Sequence, residues 1–284
     1  MNAVLLISCM LCLSLQNVFS KQYNINNSKM PLTFCFGSTV FASLVFICNS
    51  GFKFSFRPML IPYSLCFAAA YICASLGLVV AIGCGSMSLS SLLINYSLII
   101  PGIYGIAFLD EPIKPAMVIG MLFFFISMAL VNLRTGEEKS SKKTAWLIAI
   151  TVAFVGNGMC STVQKMQQLK FSGGFKNEFM LLSFLFIILI MLTTALAREK
   201  QSAFSAVKGG WQWFAFYGLA NGLVNLLVMV ASAKIPVSVL FPVISAGGII
   251  ISSAVSVLVY GEKLSRRQSI GIIIGLIAIV FLNL

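Results

Sequence analysis

Two stretches read together decide the fold: Leu109–Leu133, LDEPIKPAMVIGMLFFFISMALVNL, and the last residues, Tyr260–Leu284, YGEKLSRRQSIGIIIGLIAIVFLNL. Laid over each other without gaps, they share Glu111 with Glu262, Ile119 with Ile270, Gly120 with Gly271, Ile126 with Ile277, Asn132 with Asn283 and Leu133 with Leu284. Ile and Leu match by chance in any apolar sequence, so the shared Glu, Gly and Asn carry the comparison. Each copy reads as an acidic hinge, a polar and basic turn, and an apolar run that closes one half of the chain. An internal duplication governs the fold assignment before any local reading does.

The chain has 284 residues, 59% of them hydrophobic and 9% charged, far outside the range of soluble domains. A span needs roughly 20 apolar residues to cross a hydrocarbon core of about 30 Å. Ten such runs are found, near 1–20, 32–50, 60–82, 86–107, 115–133, 144–166, 179–197, 211–233, 236–259 and 268–284. The one stretch dense in charge, Arg134 to Lys143, falls between the fifth and the sixth. Because five is odd, the second half must enter the membrane from the opposite side, which inverts one repeat relative to the other. The expected architecture is an all-α membrane protein with ten transmembrane helices arranged as two inverted five-helix repeats. Residues 1–133 form the first repeat, 134–143 a charged linker and 144–284 the second.

The net charge of +12 lies in short loops, where Lys and Arg anchor at headgroups and set topology; no nucleic-acid partner is implied. Twelve of the 19 basic residues fall in connections on the side of the central linker, which by the positive-inside rule puts that linker in the cytoplasm and the termini outside. The first run lacks a basic n-region, and the duplication needs a first helix to match the sixth, so it reads as a retained span rather than a signal peptide. Cys9, Cys12, Cys35, Cys48, Cys66, Cys73 and Cys160 fall inside apolar runs and read as small packing residues. No metal or other cofactor is expected.

The chain contains no histidine, which excludes His-based triads, H-E-x-x-H sites and His proton relays. The seven acids, Asp110, Glu111, Glu137, Glu138, Glu178, Glu199 and Glu262, lie in loops or at span ends. Proton coupling commonly uses an intramembrane carboxylate, so the chain points to exchange, facilitated movement or an unusual coupling group. Glu111 and Glu262 each precede a turn and a new helix, where a carboxylate caps free backbone amides.

Uncharged polarity inside the spans is the stronger signal. Gln16 and Asn17 lie in span one, Asn95 and Tyr96 in span four, Asn157 in span six, and Tyr217, Asn221 and Asn225 in span eight. Asn221 and Asn225 are four apart and share a helix face. Such groups either bond helix to helix or line a site. As a set drawn from both halves they read as a shared central cavity for a polar organic molecule, with the tyrosines as stacking or hydroxyl contacts. Lys21 and Lys165 close spans one and six in related settings, Asn17-Val-Phe-Ser-Lys21 and Ser161-Thr-Val-Gln-Lys165, where a lysine snorkels to the interface or faces a cavity. Pro101 and Pro242 interrupt spans four and nine, and each frees a carbonyl that neighbouring helices or a cavity must satisfy. Gly271 and Gly275 form a G-x-x-x-G suited to helix packing. Trp146, Trp211 and Trp213 stand at span starts, where interfacial aromatics belong.

Ten short spans in two halves, the paired Lys21 and Lys165, and the G-E-K-L-S-x-x-Q-x-x-G of Gly261 to Gly271 with a degenerate partner at Asp110 to Gly120 resemble the EamA-type families of the drug/metabolite transporter superfamily. The resemblance covers essentially the whole chain. It implies an alternating-access carrier whose cavity is lined by helices one, three, four, six, eight and nine, with helices five and ten at the side. It also implies both termini in the cytoplasm, opposite to the charge count. Asp110 stands where the motif has Gly, which loosens the turn argument there.

The function expected is secondary transport, as exporter or exchanger, of a small polar metabolite across the cell membrane. Its partners are that small molecule and the lipid bilayer, with a homodimer left open. The alternatives are a membrane enzyme acting on a lipid-linked substrate, which lacks an evident acid, base or metal site, and a receptor or scaffold, which lacks soluble segments.

Overall fold

The computed structural model describes residues 2–27, 30–84, 90, 93–94, 97, 99–110, 115–132, 140–260 and 266–282; within its helices the side chains of Asn17, Lys21 and Pro242, among others, lie outside the described set. The described residues form ten helices and no strand: α1 (Asn2–Asn27), α2 (Pro31–Ser50), α3 (Leu60–Cys84), α4 (Ile99–Phe108), α5 (Pro115–Asn132), α6 (Ser140–Lys170), α7 (Lys176–Arg198), α8 (Lys200–Ser232), α9 (Val237–Tyr260) and α10 (Arg266–Leu282). Among the described residues, five segments are long and apolar enough to cross a bilayer: Pro31–Ser50, Leu60–Leu78, Thr144–Lys170, Lys176–Arg198 and Gly209–Ser232. By length and composition these make the chain a membrane protein.

Local chemistry sets many helix ends. α2 starts on Pro31, whose missing N–H costs nothing in a first turn, and ends at Gly51, left-handed at φ 58°, with its N–H bonded to the Cys48 carbonyl at 3.2 Å. α5 starts on Pro115, and the Pro236 carbonyl accepts from Leu240 N at 2.9 Å in the first turn of α9. Asp110 takes a left-handed backbone at φ 50°. An Asp accepts that conformation more readily than most side chains, so no glycine is required at this position.

Three helices run past their apolar stretches, α1 to Asn27 among them. α8 begins at Lys200, directly after Glu199, so residues 200–210, read from sequence as a connecting loop, are helical. α6 continues to Lys170. Hydropathy marks the part of a helix that meets lipid, whereas the helix continues as long as no proline or cap stops it.

Small residues bring the helices together. A Cβ on Gly77 would lie 2.8 Å from the Ala149 carbonyl oxygen and the Ala153 nitrogen, and one on Gly156 2.7 Å from the Ala70 oxygen and the Ala74 nitrogen. α3 and α6 therefore approach backbone to backbone, antiparallel, through the same A-x-x-x-A-x-x-G spacing on each helix. On α8, Gly222 lies against the Ala42 carbonyl and Gly37 of α2 lies against Phe214, which makes α2 and α8 parallel. The ring pair Phe46–Phe184 and the amide pair Asn49–Asn177 run α2 and α7 antiparallel. α5 and α10 also pack closely: Ser127 Oγ donates to the Gly271 carbonyl at 2.6 Å and fills the space a Cβ on Gly275 would need. The G-x-x-x-G of α10 is thus a packing face.

The extensive contacts mostly join a helix before the linker to one after it: α3 to α6, α5 to α10, and both α1 and α2 to α8. The largest apolar core lies among α2, α3 and α7, around Phe46, Phe67, Phe179, Phe184, Ile187 and Met191. Of the cysteines, Cys9, Cys35 and Cys160 are buried and Cys48, Cys66 and Cys73 are exposed, Cys73 on the face of α3 that meets Gly156 of α6.

Candidate functional site: a buried amide ladder

The polar interior is built around one segment of α8, Gly218-Leu-Ala-Asn-Gly222. Its two glycines take the close approach of α2, and Asn221 between them turns to α1. Asn221 Nδ2 donates to Gln16 Oε1 at 3.1 Å. One turn on, Asn225 Nδ2 donates to the Asn221 carbonyl at 2.9 Å and to Asn221 Oδ1 at 3.1 Å. Gln164 of α6 then donates from Nε2 to Asn225 Oδ1 at 2.6 Å, with Met180 Sδ at 3.7 Å. Four amides from α1, α8 and α6 form one ladder. Gln16 is 8% exposed, Asn221 8% and Gln164 2%.

Lys165 follows Gln164 and is also buried; its Nζ donates to the Ser232 carbonyl at 2.8 Å, in the last turn of α8. Helix C-termini favour cations because their last carbonyls lack intrahelical partners. Of the two roles the sequence left to Lys165, snorkelling to the interface or facing inward, the structure has the second: α6 runs a further turn beyond it, and its side chain turns inward to α8. Lys21, its counterpart, has its side chain outside the described residues.

Asn157 is held apart from the ladder. Its Nδ2 donates to the Ile94 carbonyl at 3.2 Å and to Ser97 Oγ at 2.7 Å. These groups sit at a break before α4, where Ser97 N bonds to Ile94 O and Ile100 N to Ser97 O in tight turns. Pro101 lacks the N–H that would reach back to Ser97; Ile100 N takes the Ser97 carbonyl in its place, while Asn157 serves the Ile94 carbonyl and the Ser97 hydroxyl. Tyr217 packs edge-on to Phe34, ring centroids 4.9 Å apart, near Tyr71. Asn95, Tyr96, Glu111 and Glu262 lie outside the described residues, as does the side chain of Asn17.

Two contributors escaped the sequence reading. Gln164 stood in the quoted run before Lys165 and could have been found by its amide in an apolar helix. Glu199 could not: from the α7–α8 corner its carboxylate accepts from Leu32 N at 2.8 Å, from Thr33 N at 2.9 Å and from the Thr33 hydroxyl, capping α2. Beside it, Tyr23 donates to the Met30 carbonyl at 3.0 Å. Burial, aided by the negative Glu199, raises the Tyr23 pKa and keeps it a donor.

Fold and site define an all-helical membrane protein with a buried, uncharged hydrogen-bonding centre beside one buried lysine. No family model matches the chain, and no curated protein does. A solved structure named "Crystal structure of protein" matches at a TM-score of 0.65 with 13% identity, covering 99% of this chain and 95% of that one. The likeness is of fold, over the full length.

Proposed function

We propose that the chain is an alternating-access secondary transporter of a small polar organic metabolite, built as ten spans in two inverted five-helix repeats, like the EamA-type carriers it resembles. Helix exchange supports the repeat. Replacing each helix by the one five places away turns α3–α6 into α8–α1, α2–α8 into α7–α3, and α1–α9 into α6–α4, and each of these pairs packs. The pairs α2–α7, α4–α9 and α5–α10 map onto themselves. An axis in the membrane plane requires self-mapped pairs to be antiparallel, as α2–α7 is.

The observation that carries the transport reading is the amide ladder. Gln16 and Asn221 bridge α1 to α8, and Gln164 ties that pair to the α3–α6 pair, so the polar centre lies where the two halves interlock. Repeat interfaces are where carriers bind substrate. Amides that both donate and accept suit a neutral or zwitterionic polar molecule.

Counterflow in proteoliposomes tests this, with amino acids, nucleosides, nucleotide sugars and organic cations each loaded inside and traced outside. Exchange of one class, lost in Asn225→Leu, is expected. Folded wild-type protein that exchanges none of them defeats the proposal.

A further inference from the structure

The ladder has a direction, and one backbone atom sets it. The Asn221 carbonyl only accepts, so the group of Asn225 facing it at 2.9 Å must be the nitrogen. Asn225 Oδ1 is then the atom that receives Gln164 Nε2. The same Asn225 nitrogen also donates to Asn221, whose oxygen must face it. That leaves the Asn221 nitrogen for α1, and Gln16 meets it with its oxygen. Turning the Gln16 amide over would set two NH2 groups against each other. By this sequence of exclusions Gln16 Nε2 is the surplus donor: it is buried, and among the described residues it has no partner. With 8% of the residue exposed, bulk water does not serve it.

A buried donor without an acceptor is costly, and among the described residues no other fully buried atom of the ladder lacks a partner. We infer that Gln16 Nε2 is the group that reads the substrate, and that the substrate presents to it a hydrogen-bond acceptor: a carboxylate, carbonyl, phosphoryl or hydroxyl oxygen. The inference rests on the carrier reading of the same site and narrows the substrate class. An ammonium cannot fill this position, because it only donates. A compound whose sole polar group is cationic is therefore not recognised here.

The ladder also supplies the test. Gln16→Glu keeps an oxygen for Asn221 Nδ2 and replaces only the surplus donor by an acceptor. Gln16→Met removes the donor without adding charge, though it also takes the acceptor from Asn221 Nδ2, and covers the case in which the first variant does not fold; folding is judged by monodisperse elution and unliganded melting. Purified full-length protein is screened by thermal shift against the amino acids, pyruvate, inorganic phosphate, uridine, UDP-glucose, ethylammonium and tetraphenylphosphonium, since a ligand of the native state alone raises its melting temperature.

The expected result is a shift from an acceptor-bearing compound, with apparent affinity at least tenfold weaker in whichever variants fold. Undiminished affinity in a folded variant overturns the inference. So does a response confined to the two cations, or no response at all, which leaves a buried water as the partner of the donor. Counterflow with the same compound separates this from the carrier reading. Exchange insensitive to Gln16 sinks the inference and leaves the carrier; binding that depends on Gln16 without exchange sinks the carrier and leaves the site.

Discussion

Glu199 and Thr33 are 166 residues apart in the chain and meet at the first turn of α2, where the carboxylate accepts from the Thr33 N–H at 2.9 Å and from its hydroxyl. The same carboxylate takes the Leu32 N–H at 2.8 Å, although α2 has no cap from the residue that precedes it. Glu199→Ala is expected to destabilise the protein by about 1–2 kcal/mol, the usual cost of a lost helix cap, with Glu199→Gln recovering part of it. Chemical unfolding in detergent measures both, and equal stability of all three proteins would show the cap to be neutral.

The close approach of α3 and α6 makes a graded prediction. At Gly156 an added Cβ meets backbone on the facing helix at 2.7 Å, and backbone does not yield, whereas at Gly248 the nearest atom among the described residues is the Leu13 side chain at 3.8 Å. Gly156→Ala should cost about 1–3 kcal/mol by overpacking, while Gly248→Ala should be neutral or stabilising by up to about 1 kcal/mol through helix propensity. Melting temperatures of the two variants should move in different directions.

Lys165 is 7% exposed and held by the Ser232 carbonyl, while Lys170 is exposed one turn later. A water-soluble amine-reactive ester should modify Lys170 in the folded protein and spare Lys165 until the chain is unfolded in strong detergent. Peptide mass spectrometry reads both sites, and equal early labelling would contradict the inward orientation.

The loop after α2 is two-faced. Ser55 N donates to Glu178 Oε1 at 3.1 Å and Arg57 lies 5.1 Å from the Phe175 ring, while Phe52, Phe54 and Phe56 are 76%, 50% and 65% exposed. Aromatic residues at a membrane boundary favour the headgroup level. Phe54→Trp in vesicles should add fluorescence that is quenched by lipids brominated near the headgroup more than by lipids brominated at mid-chain. An increment untouched by either lipid would place the loop in water.

How much was legible follows from how local each signal is. Pro31 and Pro115 announce helix starts because proline fits a first turn and fits poorly elsewhere in a helix. Asn221 and Asn225 were readable as one polar face from their spacing alone. The role of Asn157 was not: it read as one of the eight residues of the cavity set, and it bonds the segment before Pro101 because α6 sets it against Ser97. The inward turn of Lys165 was hidden as well, since hydropathy locates a lysine along a span but carries no information about which neighbour its rotamers can reach.

The sequence by itself determined the membrane class, several helix boundaries and the presence of buried amides, because transfer free energy, proline geometry and helix periodicity act over a few residues. Only the tertiary structure decided which helices pair, that Gln164 completes the ladder, that Asn221 reaches Gln16 across 205 residues of chain, and that Glu199 caps α2. Hydrogen bonds and backbone close approach depend on relative positions within a few ångströms. Those positions are set jointly by all the packed helices, so no single stretch contains them.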